Sequence, residues 1–187
     1  MQKVYIQDHP NPAGEKLKLD AGKDGSAYSR AHSKFHPWLR TLLTERGYYD
    51  IFLLDQEGDV VYSVYKESDF GTNVLKGEWK DTDLAAAFRA SINAKNGEVA
   101  FYDFKAYAPS MGAAASFIST PITDENGDVI GVLVFQMPVG RINEIMQTSE
   151  GMGETGESYL VGPDGLMRSD SRFASESTIL KTVIDTE

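Results

Sequence analysis

The sequence predicts an α+β fold in which an antiparallel five-stranded sheet is flanked by helices. Three observations lead to this fold class. Within the first 150 residues, five short runs are rich in β-branched and aromatic residues, and Asp/Gly turns join four of them into two hairpins. Two further segments repeat apolar residues at helical spacing. The chain has 187 residues, 41% of them hydrophobic, which suffices for one domain with a core and part of a second.

Residues 1–47 are predicted to form a helical and irregular segment. The prolines of "HPNPAG" interrupt any helix near the N-terminus, so only a short helix over residues 2–8 is possible. In "HSKFHPWLRTLLTERG", Pro37 suits a first helical turn and Gly47 suits the residue that ends a helix. A helix is therefore expected to begin near His36 and to end at Gly47.

Residues 48–147 are predicted to carry the sheet. "YYDIFLLDQEGDVVYSVYK" indicates a hairpin around "DQEGD", and "SFISTPITDENGDVIGVLVFQMP" indicates another around "ENGD". The run "GEVAFYDFKAY" supplies the remaining strand, and Pro121 marks an edge or a bulge. Two strands, a helix and three strands in this order define a PAS-like module, with the N-terminal helix on one face of the sheet and the inserted helix on the other.

Two helices belong to this module. "DTDLAAAFRASINAKNG" predicts the inserted helix, which Asp81 or Thr82 would cap and Gly97 would close. "VGRINEIMQTS" predicts a short final helix whose inward residues would be Ile142, Ile145 and Met146.

Residues 148–187 are predicted to be a linker followed by the start of a second, similar module. "SYLVGPDGLMRS" repeats the strand, Asp-Gly turn and strand of the first hairpin. "ESTILKTVIDTE" would then be the inserted helix of this second module, capped by Ser177.

The composition excludes several classes of function. There are 28 acidic and 18 basic residues, so the net charge of −10 would repel nucleic acid and anionic lipid. Cysteine is absent, which excludes disulfides and thiolate chemistry. No apolar stretch approaches the length of a membrane span, and the N-terminus lacks the features of a signal peptide.

Several segments together resemble a known family. "GYYDIFLLDQEGDVVYSVYKESDFGTN", "FYDFKAYAPS", "GVLVFQMPVGRINEIM" and "GMGETGESYLVGPDGLMRSDSRF" are similar to the extracytoplasmic double-Cache sensor region of bacterial methyl-accepting chemotaxis receptors. The resemblance implies a membrane-distal and a membrane-proximal PAS-like module on the periplasmic side of the inner membrane. It also implies a homodimeric parent receptor, anchored by segments outside this chain, that senses a small ligand and signals across the membrane.

A ligand pocket is expected in the distal module. Small-ligand pockets combine aromatic walls with a few polar groups that fix orientation. The candidates for such a pocket are Tyr65, Lys66, Asp69, Asp103, Tyr107, Ser110, Phe117 and Ser119. If Asp103 is the main anchor, an amine or amino acid is favoured; if Lys66 dominates, a carboxylate is favoured. The alternative interpretation is that the aromatic residues are core and that Lys66 and Asp69 are solvated loop charges.

Enzymatic and metal chemistry are not expected. His32 and His36 lie four residues apart, as in some zinc sites, but no third ligand accompanies them, so they are interpreted as surface or capping histidines. No nucleophile motif or phosphate-binding loop is present, and neither an enzymatic activity nor a cofactor is predicted. Two alternatives to a chemoreceptor stay open: the sensor region of a histidine kinase or diguanylate cyclase, and an interaction module that contacts a periplasmic binding protein.

Overall fold

The computed structural model describes residues 1–12 and 14–185. Its α-helices are α1 (Ala27–Arg46), α2 (Asp83–Ser91) and α3 (Val139–Met146). Its strands are β1 (Asp50–Leu54), β2 (Val60–Ser63), β3 (Ala100–Tyr107), β4 (Ala113–Thr123) and β5 (Val129–Gln136). A short π-helix spans Lys3–Gln7, and 3-10 turns span Lys16–Lys18 and Ala108–Ser110.

The strands form one five-stranded sheet in the order β2-β1-β5-β4-β3. β5 is central and pairs antiparallel with β1 on one side and with β4 on the other. Pro121 lies within β4 opposite Val132, and the register shifts between Ile122 and Thr123, one residue beyond it. The predicted α+β, PAS-like fold with a helix inserted after the second strand is confirmed.

One face of the sheet packs on α1. Ile51, Tyr62 and Val64 are buried there in one cluster with Leu39 and Leu43 of the helix. This arrangement follows from the two-residue period of a strand, which turns alternate side chains towards the same face.

The other face is covered by α2. The Ser119 hydroxyl of β4 donates to the carbonyl of Ala87 at 3.1 Å and lies 2.8 Å from the Ser91 hydroxyl. Phe52 and Phe88 are also buried, with 0% and 1% of their surface exposed. The prediction that a helix covers each face is therefore confirmed.

α1 is longer than the sequence predicted. It begins at Ala27 rather than near His36, because the Ser26 hydroxyl caps it by accepting from the Ser29 backbone N–H at 3.0 Å. Pro37 lies inside the helix, and the predicted first-turn position was wrong. The predicted end is correct, since Gly47 adopts φ of 72° and its N–H donates to the carbonyl of Leu43.

The other two helices differ in detail from the prediction. Thr82 caps α2 as expected, its hydroxyl accepting from the Ala85 N–H at 3.3 Å, but the helix ends at Ser91, before Gly97. α3 has no fully buried residue, and Ile145 is 65% exposed, so the expectation that Ile145 points inward was wrong.

The C-terminal region contains the predicted strand pair as a minimal hairpin. Val161 bridges Met167, and Leu166 bridges Val183. The Met167 N–H donates to the Thr182 carbonyl at 3.0 Å, so the residues near 182 run alongside the hairpin as a third extended segment.

The predicted helix in "ESTILKTVIDTE" is absent over residues 176–185, while residues 186 and 187 lie outside the described part of the chain. The Asp170 carboxylate accepts hydrogen bonds from the Ser177 hydroxyl at 2.8 Å and the Thr178 N–H at 2.7 Å. Ser177 therefore donates to a distant carboxylate and does not cap a helix, and the segment that follows adds to the hairpin.

The chain divides into two compact units. Unit 1 comprises Met1–Tyr102 and Phe117–Met137, and unit 2 comprises Asp103–Ser116 and Pro138–Glu187. The predicted division at residues 47 and 147 remains a prediction. No helix in the described part of the chain is both long and apolar enough to cross a membrane.

Candidate ligand-binding site

Asp50 organises the end of the first hairpin in unit 1. Its carboxylate is fully buried and accepts hydrogen bonds from the Ser63 hydroxyl at 2.7 Å and from the backbone N–H groups of Ile51, Val64 and Tyr65 at 2.7, 2.9 and 3.1 Å. Burial raises its pKa to about 6, although these hydrogen bonds oppose the shift. The only sign of this role in the sequence is an acidic residue at the start of an apolar strand.

Lys66 follows that hairpin and is also fully buried. It adopts a left-handed φ of 57°, and its Nζ donates to the carbonyls of Ser63 at 2.9 Å and Val64 at 3.4 Å. Nζ also lies 5.1 Å from the centre of the Tyr62 ring and 5.7 Å from that of Tyr5, within the range of cation–π attraction. Burial lowers the pKa of Lys66 to about 7, while Asp50 acts in the opposite direction.

The interpretation of Lys66 and Asp69 as solvated loop charges was wrong, because both side chains are 0% exposed. The hydroxyl of Thr72 donates to the Asp69 carbonyl at 2.6 Å, which closes the turn after Lys66. Tyr65 is half-buried, and its ring stacks on that of Tyr49 with centroids 5.2 Å apart.

His32 and His36 lie on the buried face of α1, so the expectation of surface or capping histidines was wrong. Their rings stack with centroids 4.3 Å apart. His36 pairs with the Tyr62 hydroxyl at 2.7 Å and with the Leu17 carbonyl at 2.6 Å, and His32 Nδ1 pairs with the Asp20 carbonyl at 2.7 Å. Burial first, then nearby Lys66, lowers the pKa of His32 to about 4 and that of His36 to about 3, so both are neutral at pH 7.

Phe117 and Ser119 lie on the face of the sheet that α2 covers. Phe117 is 1% exposed, and its ring centroid lies 6.5 Å from that of Phe52. The Ser119 hydroxyl is hydrogen-bonded to Ala87 and Ser91 of α2. The Lys66 ammonium lies beside Tyr62 on the opposite face, so the structure does not bring Lys66 together with these two residues.

Asp103, Tyr107 and Ser110 belong to unit 2. The Asp103 carboxylate forms an ion pair of 2.9 Å with Arg168, whose side chain is 8% exposed while that of Asp103 is 36% exposed. Arg168 also contacts Asp164 at 2.9 Å, and the hydrogen bond with Asp103 is the first cause of its raised pKa. The sequence suggested an amine-bearing ligand as the cationic partner of Asp103 and gave no sign of Arg168, which lies 65 residues away.

Two of the cavities formed by the described residues lie in unit 1. One, of about 410 Å³, is formed by the N-terminal segment around Asp8, Leu19 and Asp24. The other, of about 540 Å³, lies between α1 and the sheet. Neither is lined by any of the eight predicted site residues.

The fold is that of the Cache-like, ligand-binding sensor domains of chemoreceptors and histidine kinases, as the resemblance predicted. The match to the sensor domain of the Vibrio cholerae histidine kinase DctB covers 90% of this chain and 57% of the DctB chain, with a TM-score of 0.52 and 16% sequence identity. A second match is the ligand-binding domain of the Pseudomonas aeruginosa PAO1 amino acid chemoreceptor PctC, solved in complex with GABA. It covers 91% of this chain and 66% of the PctC chain, with a TM-score of 0.53 and 17% sequence identity.

The sequence is similar to part of a probable chemoreceptor. The chain is 26% identical over 164 residues to the probable chemoreceptor y4sI of Sinorhizobium fredii (strain NBRC 101917 / NGR234). This similarity covers 86% of the chain but 20% of the relative, so the chain spans about a fifth of that protein's length. No family model matches the sequence.

Proposed function

We propose that this chain is part of the extracytoplasmic ligand-sensing region of a transmembrane chemoreceptor. The similarity to a probable chemoreceptor over 86% of the chain carries this proposal, and the Cache-like fold supports it. The chain binds a small solute and passes on a conformational change, and it catalyses no reaction.

The ligand is a small amine, amino acid or carboxylate. The GABA bound to PctC, a molecule with one amino and one carboxyl group, supports this class. The signal is a population shift, so the solute must bind one arrangement of the domain more tightly than the other.

Asp103 is the proposed anchor for the amino group of the ligand. Among the three charged residues predicted for the site, it alone keeps a side chain that is more than a third exposed, whereas Lys66 and Asp69 are fully buried. Tyr107 and Ser110 follow on the same segment and are proposed to complete the site in unit 2. For the predicted residues of unit 1 we propose a structural part within that unit: Tyr65, Lys66, Asp69, Phe117 and Ser119.

A histidine kinase sensor is the second candidate, since the DctB sensor domain shares the fold. The two candidates have the same ligand-binding step and differ in the output domain. The sequence similarity to y4sI favours the chemoreceptor.

A thermal-shift screen tests the proposal, with GABA, other amino acids, small amines and small carboxylates as the panel. A ligand at 100 times its Kd stabilises a protein by about 2.7 kcal/mol. For a chain of this size, the melting temperature should then rise by roughly 5–11 °C. No shift with any member of the panel, on a protein that melts cooperatively, would contradict the sensing of this class of solute.

The Asp103→Asn variant tests the anchor. It should abolish most of the shift that an amine or amino acid produces, because the ligand's ammonium loses its counter-charge. Asp128→Asn, in the turn between β4 and β5, makes the same change of charge elsewhere and should leave the shift unchanged. An unchanged shift in Asp103→Asn would refute the anchor without refuting the sensor.

A further inference from the structure

Arg168 occupies the carboxylate that is the proposed anchor for the ligand. Its Nε and Nη2 atoms lie 3.0 and 2.9 Å from Oδ2 of Asp103. The other carboxylate oxygen of Asp103, Oδ1, accepts the backbone N–H of Phe104 at 2.7 Å. The anchor therefore already holds one cation, and that cation belongs to the chain itself.

The guanidinium group of Arg168 has a second carboxylate beside it. Its Nη2 lies 2.9 Å from Oδ1 of Asp164, and its Nη1 donates to the carbonyl of Leu166 at 2.9 Å. Breaking a buried ion pair is destabilising mainly because one charge is left without a partner. Since Asp164 stays beside the guanidinium, Arg168 can leave Asp103 and still be paired.

The three charged groups differ in their access to solvent. The side chain of Arg168 is 8% exposed, whereas those of Asp103 and Asp164 are 36% and 50% exposed. A dissolved cation can therefore reach the Asp103 carboxylate, while the guanidinium is largely enclosed. An ammonium group that arrives there can form charge-assisted hydrogen bonds to Oδ2 in place of Arg168.

The ion pair also joins the two chain segments of unit 2, residues 103–116 and 138–187. Arg168 lies in the C-terminal hairpin, which we define as residues 160–168. Its N–H donates to the Leu160 carbonyl at 2.7 Å, and the Gly162 N–H donates to the Leu166 carbonyl at 2.9 Å. When Arg168 leaves Asp103, a contact between the two segments is lost while the hairpin keeps its own hydrogen bonds.

We propose that a solute with an ammonium group displaces Arg168 from Asp103, and that this exchange loosens the C-terminal hairpin from segment 103–116. Without a solute, Arg168 occupies the anchor and lowers the apparent affinity, because only molecules with a free Asp103 can bind. After binding, Asp164 holds Arg168. The inference rests on the proposed function, in which Asp103 is the anchor, and adds the regulation of that site by the chain itself.

Calorimetric titration with butylamine, which carries an ammonium group at pH 7, tests the competition. In Gly162→Ala, the added Cβ would overlap Nη2 of Arg168 and lie 2.8 Å from Nε, and these nitrogens are the two that contact Asp103. This variant should bind butylamine roughly threefold to tenfold more tightly than the wild type, the equivalent of one hydrogen bond. Arg168→Gln should do the same. Lys181→Gln removes the same charge from an exposed residue of unit 2 and should not.

Asp164→Asn should act in the opposite direction. Arg168 then depends on Asp103 alone, so butylamine should bind roughly threefold to tenfold more weakly. Glu154→Gln neutralises an exposed carboxylate elsewhere in unit 2 and should leave the affinity unchanged. Equal affinities of the wild type, Gly162→Ala and Arg168→Gln would overturn the exchange and leave the proposed function standing. No binding of butylamine to any of these proteins would overturn both the amine anchor and the exchange.

Hydrogen exchange followed by NMR tests the release of the hairpin without a solute. Asp103→Asn removes the charge that a bound ammonium would neutralise, so the amides of Gly162 and Arg168 should exchange at least threefold faster than in the wild type. Asp128→Asn makes the same change of charge in unit 1 and should leave these rates unchanged. Unchanged rates in Asp103→Asn would show that Arg168 does not hold the hairpin to Asp103, and would overturn the inference whatever solute binds.

Discussion

The environment of Lys66 in the structure differs from the one that its position in the sequence suggests. Its position in "VYSVYKESDF" suggests a charged residue on an exposed loop. In the structure, the rings of Tyr5, Tyr62 and Phe70 surround its ammonium group. The carbonyls of Ser63 and Val64 accept two hydrogen bonds from it. Such a group is costly to keep charged, and its lowered pKa is the measurable consequence.

The Lys66→Met variant should flatten the pH dependence of stability above neutrality. The pKa of Lys66 is about 7 in the folded protein against 10.5 for a free lysine. Between these values the unfolded chain binds the extra proton, so the wild-type free energy of unfolding should rise with pH from about 7 to 10.5. Urea unfolding at pH 7, 8, 9 and 10 should show this rise, with a slope of about one proton, in the wild type and not in the variant.

The exposed Lys181 provides the control, since Lys181→Met should keep the wild-type slope. Parallel pH profiles of the wild type and Lys66→Met would mean that Lys66 stays protonated in the folded chain throughout this range.

At the scale of elements, the close approach of β1 and β5 depends on a glycine. Gly131 lies in β5, and a Cβ atom added there would lie 2.5 Å from the carbonyl oxygen of Leu54 in β1. Because that oxygen belongs to the backbone of a neighbouring central strand, it cannot move aside without shifting the pairing of β1 with β5.

Gly131→Ala should therefore lower the free energy of unfolding by about 1–3 kcal/mol, the usual cost of overpacking. Gly140→Ala in α3 is the matched control, because an added Cβ meets no atom within 4 Å there. Alanine in a helix should change the stability by at most about 1 kcal/mol, in the stabilising direction. Urea unfolding monitored by circular dichroism measures both. Equal stability of the two variants would mean that the sheet absorbs the extra atom.

At the scale of the whole molecule, the net charge of −10 acts against the compact state through self-repulsion. Added salt screens this repulsion, so the melting temperature at pH 7.5 should rise by a few degrees between 10 and 300 mM NaCl, concentrations at which the Debye length falls from about 30 to 6 Å. The same comparison near pH 5 serves as the control. The sequence pI is about 4.8, so little net charge remains to be screened there. A fall of the melting temperature with salt at pH 7.5 would show that attractive ion pairs outweigh the repulsion.

Much of the fold of unit 1 was predictable from the sequence, because its signals are local. The hairpins around "DQEGD" and "ENGD" depend on alternation and turn residues within about 20 positions, and the end of α1 depends on one glycine. Local signals failed where long-range contacts compete with them. α1 continues through Pro37 because its buried face, with His32 and His36, packs on the N-terminal segment and on Tyr62.

The predicted site depended on contacts that no local pattern contains. The pairing of Asp103 with Arg168 spans 65 residues, and the burial of Lys66 requires Tyr5 to fold back over it. The sequence alone was enough for the fold class, the two hairpins and the resemblance to a sensor domain, since these depend on short-range periodicity and on motifs. The tertiary structure decided which charges are buried, which carboxylate stays accessible and where the cavities lie, because desolvation and ion pairing depend on distances between residues far apart in the chain.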